Sequence, residues 1–115
     1  NGKCPYAYTF GSRSVSIFDG ETGKLLWDSG EMFERVLAKI APEYFNWNSK
    51  KGKAKMDKRS SDKGCEPENV TVGEVDRRRY AFVGLERTSG VAVFDITGRS
   101  KLNVQLKKLR WIKIQ

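Results

Sequence analysis

Glu66 and Glu68 flank Pro67 in the stretch CEPENVT. A proline that holds two carboxylates on extended backbone is the beginning of a site for a hard cation. Calcium takes about six to eight oxygens, so this pair would need carbonyls, water and further groups to complete its coordination. Calcium is the one cofactor the residues suggest. The plainer alternative makes both side chains solvated turn carboxylates, or salt-bridge partners of nearby lysines. Glu86 and Arg87 form a further candidate ion pair, of structural type. The chain contains no histidine. It therefore lacks the commonest general base and every Ser-His-Asp or Cys-His arrangement built within it. A metal-bound water on Glu66 or Glu68 could serve a hydrolase, but no convincing nucleophile accompanies it, and the residues lean away from an enzyme.

Cys4 and Cys65 are the only cysteines. Without histidine they cannot complete an ordinary four-ligand zinc site. Either they pair as a disulfide in a secreted protein or they are unrelated buried thiols, and spacing alone does not decide between the two.

The 22 Lys and Arg residues outnumber the 14 Asp and Glu residues, for a net charge of +8, which favours anionic partners. The excess is concentrated in two segments. Lys50, Lys51, Lys53, Lys55, Lys58 and Arg59 crowd KKGKAKMDKR, and Lys107, Lys108, Arg110 and Lys113 crowd KKLRWIK. These are the candidate polyanion contacts, weighed against a solvated loop and a basic edge strand that resists aggregation. Nucleic acid is the weaker partner, because Tyr and Phe fall at core-like strand positions and no RNA-binding signature interrupts them.

The elements that must carry these residues are mostly strands. PYAYTF at 5–10 and SVSIFD at 14–19 are rich in aromatic and β-branched residues. DGETG then turns the chain into KLLWDSG as the returning arm of a hairpin. The period changes at residues 31–41, where Met32, Phe33, Val36, Leu37 and Ile40 recur at helical spacing. Ser29 or Gly30 is placed to cap this helix and Pro42 to stop it. Residues 48–64 have no periodicity and read as an exposed basic loop. Strands resume at 69–75, 80–87 and 91–97 as a meander, and the tail offers one or two more. No apolar run approaches the roughly 18 to 20 residues of a membrane span, and NGKCPYAYTF lacks a signal-peptide pattern, as in a mature or trimmed chain.

One phrase is written twice. Tyr6-Ala7 aligns with Tyr80-Ala81, Ser12-Arg13 with Glu86-Arg87, and VSIFD at 15–19 with VAVFD at 91–95, each followed by Thr-Gly and a cation. Recurrence of one supersecondary unit marks a repeat architecture. A β-propeller blade is such a unit, and about two blades fit here, whereas closure takes roughly four to eight. The reading is a mainly β, antiparallel, partial β-propeller-like domain over 1–115 with one inserted helix, a fragment that needs further blades or another chain. Its parts are a first hairpin unit (1–30), a helical insertion (31–47), the basic loop (48–64), a second strand unit (65–99) and a divergent basic tail (100–115).

The blocks PYAYTFGSRSVSIFD, FERVLAKIAPEYFN and DKGCEPENVTVGEVDRRRYAFVGLERTSGVAVFDIT, in that order, resemble the choice-of-anchor I family from Cys4 to Thr97. The resemblance implies a secreted or surface-anchored propeller-like protein several times longer than this chain, among whose relatives are cell-surface glycoproteins of biomineralised skeletons. The expected function is a matrix scaffold, with biomineralisation in view, that contacts acidic polysaccharide or mineral. The alternative is a fragment of a metal-dependent phosphoesterase propeller of alkaline-phosphatase type. Members usually carry Pro before Glu-Pro-Glu and Gly after it, where this chain has Cys65 and Asn69. Asn69-Val70-Thr71 is thereby an N-glycosylation sequon, meaningful only in the secretory pathway. The lysine-rich loop stands where relatives are often Asp- and Asn-rich, which weakens an inherited calcium role. The resemblance does not extend into the tail.

Overall fold

In each copy of the repeated phrase an aspartate closes a turn. The computed structural model describes residues 12–50, 53–98 and 104–111. Strand β1 (Ser16–Phe18) pairs antiparallel with β2 (Leu25–Asp28), placing Ile17 opposite Trp27. Between them the Asp19 carboxylate accepts the backbone N–H of Thr22 at 2.7 Å, that of Glu21 at 3.1 Å and the Thr22 hydroxyl at 2.8 Å. An aspartate bonded in this way replaces backbone partners in a tight turn. Its acidity rises accordingly: the Thr22 N–H and hydroxyl hold the carboxyl below its ordinary value. In the second copy Asp95 accepts the Thr97 N–H at 3.0 Å, and with the Arg78 guanidinium beside it the carboxyl falls to about 2.

The second copy lies in a four-stranded antiparallel sheet of β5 (Pro67–Val75), β6 (Arg78–Leu85), β7 (Gly90–Asp95) and β8 (Gln105–Trp111), in that order. Alternation along the two central strands sets its faces. Ala81, Val83 and Leu85 on β6, with Ala92 and Phe94 on β7, are buried. Helix α1 (Met32–Ile40) and the first hairpin supply the cover: Phe33 and Leu37 are buried in the same cluster, and Trp27 packs against it. Phe94 is where the three elements meet. Its ring lies edge-on to Trp27 at 5.6 Å and to Phe33 at 5.8 Å between centroids, an arrangement aromatic quadrupoles favour.

Two expectations about the helix change in detail. Ser29 does not cap it through its hydroxyl, which instead accepts the Val15 N–H at 2.9 Å and closes the first hairpin. The apolar stripe is also narrower than the spacing implies, because Ile40 is 55% exposed while Phe33 and Leu37 are buried. A nine-residue helix seated over two central strands has room for about two turns' worth of contacts. Pro42 does end it, opening a single 3-10 turn, Pro42–Tyr44.

The basic loop holds more order than its composition implies. A short hairpin pairs β3 (Asn48–Lys50) with β4 (Lys53–Lys55), and a series of turns follows to Cys65. Backbone bonds from Asp57 N to Phe45 O and from Arg59 N to Asn46 O, at 2.9 and 2.8 Å, tie the far side of this hairpin to the end of the helical insertion. The expected strand at 5–10 lies outside the described residues. The antiparallel sheets with one helix are consistent with a partial propeller-like fold, and among the described residues no helix is long and apolar enough to cross a membrane.

Candidate functional site

The chain leaves the basic turns through Cys65 and Glu66 and runs beside the corner after β6. Glu86 N donates to Glu66 O at 2.9 Å and Arg87 N to Cys65 O at 3.3 Å. Glu66 sits at φ 51°, a conformation non-glycine residues seldom adopt, and is only 5% exposed. A carboxylate buried to that degree must be paired. Arg87 Nε donates to Oε2 at 2.7 Å, the Arg59 guanidinium donates to Oε1, and Lys63 Nζ stands 3.8 Å from the same oxygen. Burial pushes the Glu66 carboxyl upward, but the Arg87 hydrogen bond and the charges of Arg59 and Arg87 outweigh it and hold the group below its ordinary value.

Glu68 and Glu86 are exposed neighbours, each offering an oxygen within 4.8 Å of the others and of Glu66. Burial, a hydrogen bond with Glu68 and the charges of Glu68 and Glu66 raise the Glu86 carboxyl despite Arg87 nearby. This cluster includes both expected calcium ligands, Glu66 and Glu68. It fits an ion-pair network better than a hard cation, since both Glu66 oxygens already accept from guanidinium groups and calcium would compete for them.

A second arginine reaches the same segment from the other side. Arg13 donates to Glu34 Oε1 at 2.6 Å and to the carbonyl of Asp62 at 3.0 Å. Asn46, buried at φ 41°, donates through Nδ2 to Glu34 Oε1 at 3.1 Å and to Ser60 Oγ at 2.9 Å. Gly64 lies where these meet: its φ is +63°, and a Cβ there would be 2.9 Å from Arg13 Cδ. Arg13 and Arg87 occupy equivalent places in the repeated phrase, so both copies grip residues 59–66. The expected Glu86–Arg87 pair is present at 3.4 Å, but the larger role of Arg87 is on Glu66.

The remaining candidates separate. Arg59, counted among the polyanion contacts, turns inward with its side chain 13% exposed, holding Glu66 and Asp62. Lys55 and Lys58 are exposed, and on the backbone register Lys50 stands opposite Lys53. On β8, Lys107 is exposed and bonds Gln105 at 2.5 Å, while Lys108 and Arg110 take register positions opposite Val93 and Val91. Lys51 and Lys113 lie outside the described residues, as does Cys4, and with it the expected disulfide. Cys65 is fully buried, and desolvation first, then the charges of Glu34 and Glu66, push its thiol up to about 12. Such a thiol is inert toward the chemistry of a thiolate. Asn69 is exposed on β5, beside an irregularity in the pairing between Pro67 and Asn69.

Comparison with known proteins finds the family described as Choice-of-anchor I domain over residues 1–99. The Mesenchyme-specific cell surface glycoprotein of Strongylocentrotus purpuratus is 34% identical over 100 residues, covering 77% of this chain and 13% of that protein. Gigasin-3a of Magallana gigas is 31% identical over 90 residues, covering 76% of this chain and 32% of that protein. The chain thus spans a third or less of these relatives' length. No solved structure matches it.

Proposed function

The chain belongs to the choice-of-anchor I domain family, and on that premise we propose that it is an extracellular or cell-surface domain that holds acidic matrix polysaccharide through its lysine hairpin. The observation that carries this reading is the pairing of β3 with β4, which sets Lys50 directly opposite Lys53. Like-charged residue types at paired register positions of a strand pair cost stability, and an anionic partner offsets that cost. The hairpin is also held in place at its base: Arg59 and Arg87 on Glu66, and Arg13 on the carbonyls of Ser60 and Asp62, pin the chain that follows it. A relative named as a cell surface glycoprotein supports the extracellular setting.

Replacing Lys50, Lys51, Lys53, Lys55 and Lys58 with Gln should weaken binding to a sulfated polysaccharide by about tenfold or more at low salt and flatten its salt dependence. Thermal stability should hold or rise, since the variant removes repulsion. In competition, acidic polysaccharide should displace DNA more readily than DNA displaces it. Unchanged polysaccharide affinity in the variant rejects the hairpin as the contact.

The sequon belongs to the same reading. Asn69 lies exposed on a strand whose outer edge has no neighbour among the described residues, so a glycan there would blunt an edge otherwise open to pairing. Enzymatic removal of N-glycans from chain made in a secretory host should lower its intact mass, and Asn69→Gln should abolish the difference. An unaltered mass leaves the sequon unused.

A further inference from the structure

The hairpin joining β5 to β6 turns through Asp76 and Arg77, both at positive φ (50° and 62°), and is followed by two more arginines, Arg78 and Arg79. The three guanidinium groups do not share one fate. Arg78 is engaged by Asp95 across the sheet. Among the described residues the side chains of Arg77 and Arg79 have no ion-pair or hydrogen-bond partner. Both instead line a cavity of about 190 Å³ together with Glu74, Ile96, Thr97 and Gly98. Register explains why the groups converge. Glu74 pairs with Arg79 and Val72 with Ala81, so Glu74 and Arg79 share the face that farther along carries the buried core. The end of β7 closes the opposite side, where Ile96 N donates to Arg79 O at 2.9 Å and Arg79 N donates to the Thr97 hydroxyl at 2.8 Å. The walls are therefore held through the backbone of Arg79, while among the described residues the charged ends of Arg77 and Arg79 have no partner.

We propose that this cavity is a second binding site, distinct from the lysine hairpin, for the anionic group of one acidic sugar unit, a uronate or a sulfated sugar. Two guanidinium groups present donors in a planar fork that matches a carboxylate or sulfate, which a lysine cannot do. Glu74 accepts from sugar hydroxyls, and it makes the lining mixed in sign, which selects a hydroxylated anion over a bare one. Ile96 supplies an apolar wall for sugar C–H groups, and Gly98 adds no side chain to the rim. The volume lies below that of a drug-sized pocket and suits one functional unit at the end or branch of a polymer.

The test is an NMR titration of the isotope-labelled chain with a sulfated, uronate-containing disaccharide, with a neutral disaccharide and inorganic sulfate as separate arms. Amide shifts should concentrate at Glu74, Arg77, Arg79, Thr97 and Gly98. Arg77→Gln/Arg79→Gln should weaken the disaccharide by about tenfold or more, and the hairpin Lys→Gln variant should leave it unchanged, so that this site and the hairpin fail independently. Because neither side chain has a partner among the described residues, the variant keeps its fold, and unchanged β-strand amide shifts check this. Arg77→Lys/Arg79→Lys retains the charge but loses the fork; affinity preserved in that variant makes the effect diffuse charge and overturns the site. Inorganic sulfate binding as tightly as the disaccharide overturns the sugar, and shifts confined to residues 48–58 overturn the cavity altogether.

Discussion

Glu66→Gln should lower folding stability by about 3 kcal/mol, the lower end of the cost of breaking a buried ion pair from one side. The lower end applies because the Arg87 and Lys63 side chains are 37% and 46% exposed and water rescues them, whereas Arg59, at 13%, stays buried with only Asp62, at 3.4 Å, to offset its charge. Glu68→Gln, an exposed neighbour two residues away, should change stability by less than about 0.5 kcal/mol. Urea unfolding of the pair of variants makes the comparison, and equal losses would show that Glu66 is not the centre of the clamp. The pH dependence has a definite sign. The folded carboxyl lies below its unfolded value, so its contribution is present above the unfolded value, near 4.3, and is lost as the pH falls through the folded one. Glu66→Gln should therefore flatten the decline in stability below about pH 4.5.

The second large effect is expected at Phe94. Phe94→Ala should cost about 3 to 5 kcal/mol, because the ring is 1% exposed and its removal opens a void bordered by a strand, the helix and the first hairpin together. Trp27, edge-on to it at 5.6 Å, gains mobility and solvent, and its fluorescence should shift to the red in the folded variant. Ile40→Ala removes an apolar side chain of similar type from an exposed place and should cost less than about 1 kcal/mol. If the two variants melt together, the aromatic junction is not the core of the domain.

Much of this junction is legible from composition and period. Phe94 falls in an alternating run with Ala92, and Phe33 and Leu37 fall four residues apart on a helix that Pro42 must end. Local rules suffice there because each residue's burial follows from the geometry of its own element. Ile40 shows where they stop: period assigns it to the apolar stripe, but only the sheet opposite decides how far the covered face extends. Ser29 fails similarly, since its hydroxyl can cap a helix or close a hairpin and Val15 claims it.

By itself the sequence determined the helix and the described strands outside the basic loop, the repeated phrase, the basic excess and the absence of histidine, all of which follow from the residue types and their local spacing. Only the tertiary structure decided what Glu66, Arg59, Arg13 and Arg87 do. The repeat aligns Arg13 with Arg87, yet Arg13 meets Glu34 at a separation of 21 residues and the carbonyl of Asp62 at 49, and Arg87 meets Glu66 at 21. A carboxylate flanking a proline and a lysine-rich loop look solvated along the chain, because charge is read as exposure wherever no partner is near in sequence. Folding brought those partners within hydrogen-bond distance, so that Arg59 was taken off the surface and Arg13 and Arg87 were drawn onto residues 60–66, while among the described residues Arg77 and Arg79 were left without a side-chain partner.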